Sequence, residues 1–165
     1  MVTWFQVDSA SGSLLYSGKF EGSVPGVDDM HSPLGLAMSR DGSNLYVSCG
    51  NLRWNNSLVC FDRNASDGSL TFAGGVENAL ANATLGGTLE VELSSDGRFA
   101  FALTRWTDSI SWFERNATTG TLQSNSATGL TYQASEDDMA IGTKITVVAS
   151  YDNPASSNQS TIYKS

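Results

Sequence analysis

Apolar residues come along this chain in runs of four to six, rich in Val, Leu, Phe, Tyr and Trp and separated by polar turns. Runs of that length and composition predict β-strands throughout. One phrase recurs three times: Phe5 to Gly12 and Leu14, Phe61 to Gly68 and Leu70, Phe113 to Gly120 and Leu122. In each copy an aromatic closes a strand, a polar turn ends in Gly, and Leu opens the next strand. The copies lie 56 and then 52 residues apart. A repeat of that length built only of short strands predicts an all-β fold of propeller blades.

Four strands are expected in each period. In the first full blade, residues 34–73, Leu34–Met38 reads as the innermost strand. It is followed by the turn Ser39-Arg-Asp41-Gly42, in which Asp-Gly supplies the positive φ of a tight hairpin. Asn44–Cys49, Ser57–Asp62 and Ser69–Ala73 complete it. The second blade, residues 88–123, repeats the order with Thr88–Leu93, the turn Ser95-Asp96-Gly97, Arg98–Leu103, Ser109–Phe113 and Gly120–Gln123. Gly74-Gly75 and Gly86-Gly87 read as turns in the connection between the two. Ahead of both, residues 2–20 supply only two outer strands, Val2–Val7 and Leu14–Phe20. Residues 129–165 read as an incomplete third blade: Leu130–Ala134, Lys144–Ala149 and Thr161–Tyr163.

An arc of about three antiparallel blades leaves faces and strand edges uncovered, because closed propellers usually have four to eight blades and each repeat buries its face only against a neighbour. Residues 1–165 are therefore expected to be a partial propeller. The chain is expected to be a fragment of a longer polypeptide, the ordered portion of one, or a subunit whose propeller or assembly is completed by other copies or other chains.

The strings Ser39-Arg-Asp-Gly-Ser-Asn-Leu-Tyr-Val-Ser48, Ser94-Ser-Asp-Gly-Arg-Phe-Ala-Phe-Ala-Leu103 and Trp112-Phe-Glu-Arg-Asn-Ala-Thr-Thr-Gly-Thr-Leu122 resemble the blade signature of lactonase-like seven-bladed β-propellers, relatives of 6-phosphogluconolactonase. The resemblance covers nearly the whole chain and weakens after Gly129. Arg40 and Ser95 stand where that family commonly has Pro. The resemblance implies a propeller of roughly twice this length and, among its enzymes, hydrolysis of lactones. The matched residues are those that build blades, so it supplies no catalytic set residue by residue.

Nine basic residues against seventeen acidic ones give a net charge of −8, with no basic cluster to neutralise a phosphate backbone or an anionic membrane surface. Nucleic acid and membranes are not expected partners, and no apolar run is long enough to cross a bilayer. Asn-x-Ser/Thr occurs at Asn55, Asn64, Asn82, Asn116 and Asn158, which predicts N-glycosylation and an extracellular or cell-surface location. Asn64 and Asn116 share one place in the repeat, in a turn facing solvent. The start, Met1-Val-Thr-Trp, runs straight into a strand, so a secretory signal is expected upstream or already removed. Cys49 and Cys60 lie in consecutive strands. Mirror pairing about the loop places Cys60 opposite Val47, and a slightly shifted register permits a disulfide; two buried thiols are the alternative.

Candidate chemistry is sparse. His31, the single histidine, lies beside Asp28 and Asp29 ahead of an innermost strand, where it can serve as a general base or stand as a surface residue. Glu90 and Glu92 alternate with Leu89, Val91 and Leu93, so both carboxylates share a face of the strand nearest the axis, about 7 Å apart. Such a pair can divide acid and base roles, bind a cation or simply face solvent. Glu136-Asp137-Asp138 reads as a solvated turn and lacks the spacing of a calcium loop. No zinc pattern, phosphate-binding Gly loop or nucleophile elbow occurs, so neither metal nor cofactor is expected. Trp4 and Trp112 match in the repeat and read as blade packing. Trp54 and Trp106 follow second strands and are the candidates for contact with carbohydrate or a protein partner.

Three functions fit these features: a structural or adhesive extracellular glycoprotein built on propeller blades, a lactonase-like hydrolase acting at the channel, and a carbohydrate- or protein-binding module. The sequons, the acidic surface and the scarcity of His favour the first.

Overall fold

The computed structural model describes residues 1–21, 30, 32–50, 56–77, 85–106, 109–123 and 132–133, all within one unit, Met1–Gln133. The described strands are β1 (Val2–Val7), β2 (Leu14–Phe20), β3 (Pro33–Met38), β4 (Asn44–Cys49), β5 (Ser57–Arg63), β6 (Leu70–Glu77), β7 (Thr88–Leu93), β8 (Phe99–Thr104), β9 (Ser109–Arg115), β10 (Leu122–Gln123) and β11 (Tyr132–Gln133). They form an antiparallel pair β1-β2, a sheet β3-β4-β5-β6 and a sheet β7-β8-β9-β10, with β11 also on β9. The two longer sheets are blades, with β3 and β7 as their first strands.

The hairpin turns follow from their residues. Gly42 and Gly97 take φ of 71° and 70°, the left-handed backbone that a side chain disfavours. Asp41 Oδ1 accepts from Ser39 Oγ at 2.6 Å, Ser43 Oγ at 2.8 Å and Ser43 N at 3.1 Å. Asp96 Oδ1 accepts from Ser94 Oγ at 2.6 Å and Arg98 N at 3.1 Å. These donors, the seryl side chains first, hold both carboxyls below the ordinary range.

β4 is buried on both faces, and this divides the core in two. Tyr46, Leu58, Cys60 and Val76 pack against Leu85, Val91, Ala100, Ala102 and Phe113 of the second blade. Leu45, Val47, Cys49, Val59 and Phe61 face the other way, toward Val2, Met30 and Phe20. The outer pair β1-β2 thus lies on the front of the first blade, and Phe20 meets Phe61 edge-on at 5.0 Å.

Three expectations change. Leu130–Ala134 was expected to open a third blade, but Tyr132 pairs with Ile110 and Gln133 with Ser109. Tyr132–Gln133 extends the outer edge of the second blade, in line with β10, which meets β9 at Arg115 and Glu114. Gly74-Gly75 lies inside β6 instead of forming a turn. Gly74, at φ 153°, sits where the pairing with β5 shifts register between Cys60 and Phe61, and such a bulge lets the outer strand run on to Glu77.

The disulfide is the third correction. Cys60 stands opposite Tyr46 and Cys49 opposite Ser57. A one-residue difference from the expected register turns every side chain to the other face of a sheet, so Cys49 and Cys60 belong to different cores. Both are free and buried. Burial raises each thiol to about 11.

Candidate functional site

β3 and β7, the first strands of the two blades, lie against each other. The approach is close enough to dictate residue size. A methyl group on Gly35 would come within 2.9 Å of Glu90 Cα and of Leu89 O, so only glycine fits there. Ser48 fastens the contact: its hydroxyl accepts from Gly35 N at 2.9 Å and donates to Leu89 O at 3.0 Å.

Glu90 and Glu92 occupy in the second blade the places that Gly35 and Ala37 hold in the first. Both are exposed. They stand opposite Leu103 and Phe101 of β8, on the face turned away from Val91 and the first blade. The expectation that the two carboxylates share one face of a first strand therefore matches the geometry. No ion pair or hydrogen bond engages either of them among the described residues. No group of three His, Cys, Asp or Glu side chains is placed to hold a metal among the described residues.

Trp106 is exposed at the end of β8. Its backbone N–H donates to Gly86 O at 3.1 Å, and its ring lies over Gly87, where an added methyl would meet it at 3.0 Å. One face of the indole is thus committed to the turn and the rest is open to solvent. Trp112 packs edge-on to Phe99 at 5.6 Å, as expected for blade packing. His31, Trp54, Asn55, Asn82, Asn158 and the acidic run 136–138 lie outside the described residues.

Asn64 and Asn116 are exposed in matching turns. Asn64 Oδ1 accepts from Ser66 Oγ at 2.7 Å and Ser66 N at 2.9 Å. Asn116 Oδ1 accepts from Thr118 N at 2.9 Å and Thr119 N at 3.1 Å. Asp8 holds the same place in β1-β2 and makes the same turn. In both asparagines the carbonyl oxygen builds the turn, which leaves Nδ2 as the outward group.

Sequence reasoning passed over one cluster at the junction of the blades. Arg115 is buried and donates from Nε to Tyr46 Oη at 2.6 Å, from Nη2 to Asn44 Oδ1 at 2.6 Å and from Nη1 to Gly97 O at 3.1 Å. Tyr46 Oη donates in turn to Gly120 O at 2.6 Å, and Asn44 Nδ2 to Asp62 Oδ1 at 2.9 Å. Burial pushes the Tyr46 phenol well above its ordinary value, so it stays protonated as a donor. The signal available in the sequence was the recurrence of Arg63 and Arg115 at one place in the repeat.

Two four-stranded antiparallel blades, stacked face to face and repeating one turn signature, define this protein as a β-propeller. The family model for the lactonase seven-bladed β-propeller matches residues 1–131, and the chain belongs to that family. Its structure is similar to that of a candidate 6-phosphogluconolactonase from Bacteroides uniformis, at 20% identity and a TM-score of 0.59, over 74% of this chain and 32% of that one. A candidate 6-phosphogluconolactonase from Bacteroides fragilis is similar at 22% identity and a TM-score of 0.57, over 72% and 30% of the two chains. The periplasmic gluconolactonase of Pseudomonas aeruginosa is similar at 21% identity and a TM-score of 0.56, over 76% and 31%. At these identities the likeness shows the fold. The chain spans about a third of the length of these structures. No curated protein matches the sequence.

Proposed function

We propose that this chain contributes its blades to a lactonase-type propeller that opens a cyclic ester by hydrolysis, and that Glu90 and Glu92 are the acids that meet the substrate. The observation that carries the reading is the exchange of Gly35 and Ala37 for Glu90 and Glu92 at one place in the repeat. Where the small pair stands, the neighbouring first strand comes into backbone contact. Two carboxylates at that place exclude so close an approach and leave polar, hydrated space beside the strand. The family match and the similar gluconolactonase support the reading.

In this reaction one carboxylate accepts a proton from water as the water oxygen bonds to the lactone carbonyl carbon. The tetrahedral adduct collapses with cleavage of the ring C–O bond, and the same carboxyl returns its proton to the leaving oxygen, giving a hydroxy acid. The second carboxylate orients the water. The test is lactone opening followed by titration of the released acid, using the complete propeller that contains this chain. Glu90→Gln and Glu92→Gln are each expected to lower kcat by about 10²- to 10⁴-fold for the base and less for the orienting group. Unchanged turnover in both variants would remove these residues from the reaction, and a parent protein inert toward sugar lactones would remove the reaction itself.

A second reading, an extracellular glycosylated scaffold whose blades are completed by other copies or chains, rests on Asn64 and Asn116. Each presents a side-chain nitrogen from an exposed turn, at one place in consecutive blades. An intact-mass measurement on protein from its native source, before and after enzymatic deglycosylation, tests it: loss of glycan mass at both turns supports the scaffold, and an unmodified mass counts against it.

A further inference from the structure

Two glycines of the first blade touch the first strand of the second. Gly35 is confined by Leu89 O and Glu90 Cα, and a methyl group on Gly50 would collide with Thr88 O. With Ala37, these residues let β7 lie in backbone contact with β3 and the end of β4. At the same three places of the repeat the second blade carries Glu90, Glu92 and Arg105. Every small residue of the seam is replaced by a charged one.

Gly50 and Arg105 correspond in structure as well as in sequence. Each directly follows the second strand of its blade, and its backbone N–H donates to the residue just ahead of the first strand: Gly50 N to Ser32 O at 3.3 Å, Arg105 N to Gly87 O at 3.1 Å. Ser32 and Gly87 share the left-handed backbone, at φ 48° and 67°. The Cα–Cβ bond of Arg105 thus points as a methyl on Gly50 would, to the side of the blade that Glu90 and Glu92 face. Along that side Glu90 stands opposite Leu103, two residues before Arg105, and Glu92 opposite Phe101. Alternate positions of a strand lie about 7 Å apart, a spacing that puts a guanidinium and a carboxylate at opposite edges of one small ring.

Arg105 is exposed, and its side chain makes no hydrogen bond or ion pair among the described residues. Its backbone is clamped, because Trp106 N donates to Gly86 O at 3.1 Å and the indole closes over Gly87. The first blade has Asn51 at the place of Trp106. It makes the same bond ahead of its first strand without the arginine or the tryptophan, so neither is needed to build a blade.

We propose that Arg105 is a third catalytic residue of the Glu90–Glu92 site, the group that takes the negative charge of the lactone carbonyl oxygen; the inference rests on the lactonase reading. As the water oxygen bonds to the carbonyl carbon and its proton passes to the carboxylate, the C=O π pair moves onto oxygen. There the guanidinium N–H groups donate to it. The pair returns to re-form C=O as the ring C–O bond breaks and the carboxyl gives its proton to the leaving oxygen. Arg105 keeps its own protons throughout. Trp106 is a positioning residue, acting through the turn that holds Arg105.

The test is steady-state opening of glucono-δ-lactone by the complete propeller that contains this chain, with Arg105 replaced by the first blade's own residue, Arg105→Gly, and by Arg105→Lys. Arg105→Gly is expected to lower kcat by about 10²- to 10³-fold with little change in KM. Arg105→Lys keeps the charge without the planar fork and should retain part of kcat. Guanidinium ion, below denaturing concentration, should restore part of the lost kcat to Arg105→Gly and none to Glu90→Gln. Trp106→Asn should lower kcat in the parent and have no further effect in Arg105→Gly, a dependence that a purely structural role would not show. Full kcat in Arg105→Gly alongside impaired Glu90→Gln and Glu92→Gln would overturn this inference and leave the lactonase reading standing. A raised KM at unchanged kcat would also overturn it, by making Arg105 a ground-state binding group. Full kcat in both glutamate variants, or a parent inert toward the lactone, would remove the reading and the inference together. If Arg105→Gly fails to fold, Arg105→Gln takes its place under the same expectations.

Discussion

Val91 and Leu36 hold the same place in two consecutive blades, yet Val91 is 2% exposed and Leu36 is 62% exposed. The residues are alike in chemistry and their strands alike in register, so the difference lies in the neighbour. At the junction of the two blades β3 and β4 lie on the inner strand of the second blade, and β5 and β6 supply Leu58, Cys60 and Val76 to the core they share with its outer strands. Among the described residues, β1-β2 cover only the outer part of the front of the first blade, where Phe61 is as fully buried as its counterpart Phe113. Apolar patterning thus marks which residues can be buried, and the stacking of repeats decides which are.

The sharpest way to break this comparison is to remove the paired arginines. Arg115→Ala deletes three hydrogen bonds and leaves the buried Tyr46 hydroxyl and Asn44 carbonyl without their partner, a loss of about 3 kcal/mol. Arg63→Ala deletes one longer bond and should cost about 1 kcal/mol or less. Denaturant unfolding of the two variants measures the gap, and equal losses would mean that the junction is no better filled than the front.

Gly120 and Gly68 sharpen it next. Both adopt the left-handed backbone, at φ 69° and 74°, so Gly→Ala carries a similar backbone penalty of about 1 kcal/mol at each. At Gly68 the new methyl has open space, with Arg63 Nη2 at 3.8 Å. At Gly120 it collides with the buried Asn44 side chain, which should add about 1–2 kcal/mol. Val91→Ala and Leu36→Ala form a third pair. The first should cost about 2 kcal/mol by emptying a packed site, and the second less than about 0.5 kcal/mol at an exposed one.

The cysteines give the smallest effect. Cys49 borders the half-covered front and Cys60 the filled junction, so a thiol reagent should label Cys49 first through local opening. Because burial lifts both thiols to about 11, above their unfolded value near 9, their neutral forms favour the folded state below pH 9. That contribution is lost as pH rises from about 9 to about 11. An alkaline unfolding series should move toward higher pH in Cys49→Ala and Cys60→Ala.

Much of the fold was legible because its signals are local. Asp-Gly turns, the Phe–Gly–Leu phrase and short apolar runs located β1 to β9 within a few residues. The failures concern parity and distance. A single residue of register decided that Cys49 and Cys60 face different cores. The pairing of Tyr132 with Ile110 depends on a strand edge left open by a short β10, which no local pattern records. The Arg115 cluster joins residues about 70 positions apart, and Gly35 is required by a backbone in the next blade. Of the candidate site, alternation alone placed Glu90 and Glu92 on one face; their contrast with Gly35 and Ala37 needed the blades side by side.

The most direct test is native-state amide exchange across β1, β5 and β9, which share one place in the repeat. The account predicts that β5 and β9 exchange only through global unfolding, while alternate amides of β1 exchange many times faster through the edge that no described strand covers. Equal protection of all three strands would contradict it, since the front of the first blade would then be as fully closed as the junction behind it.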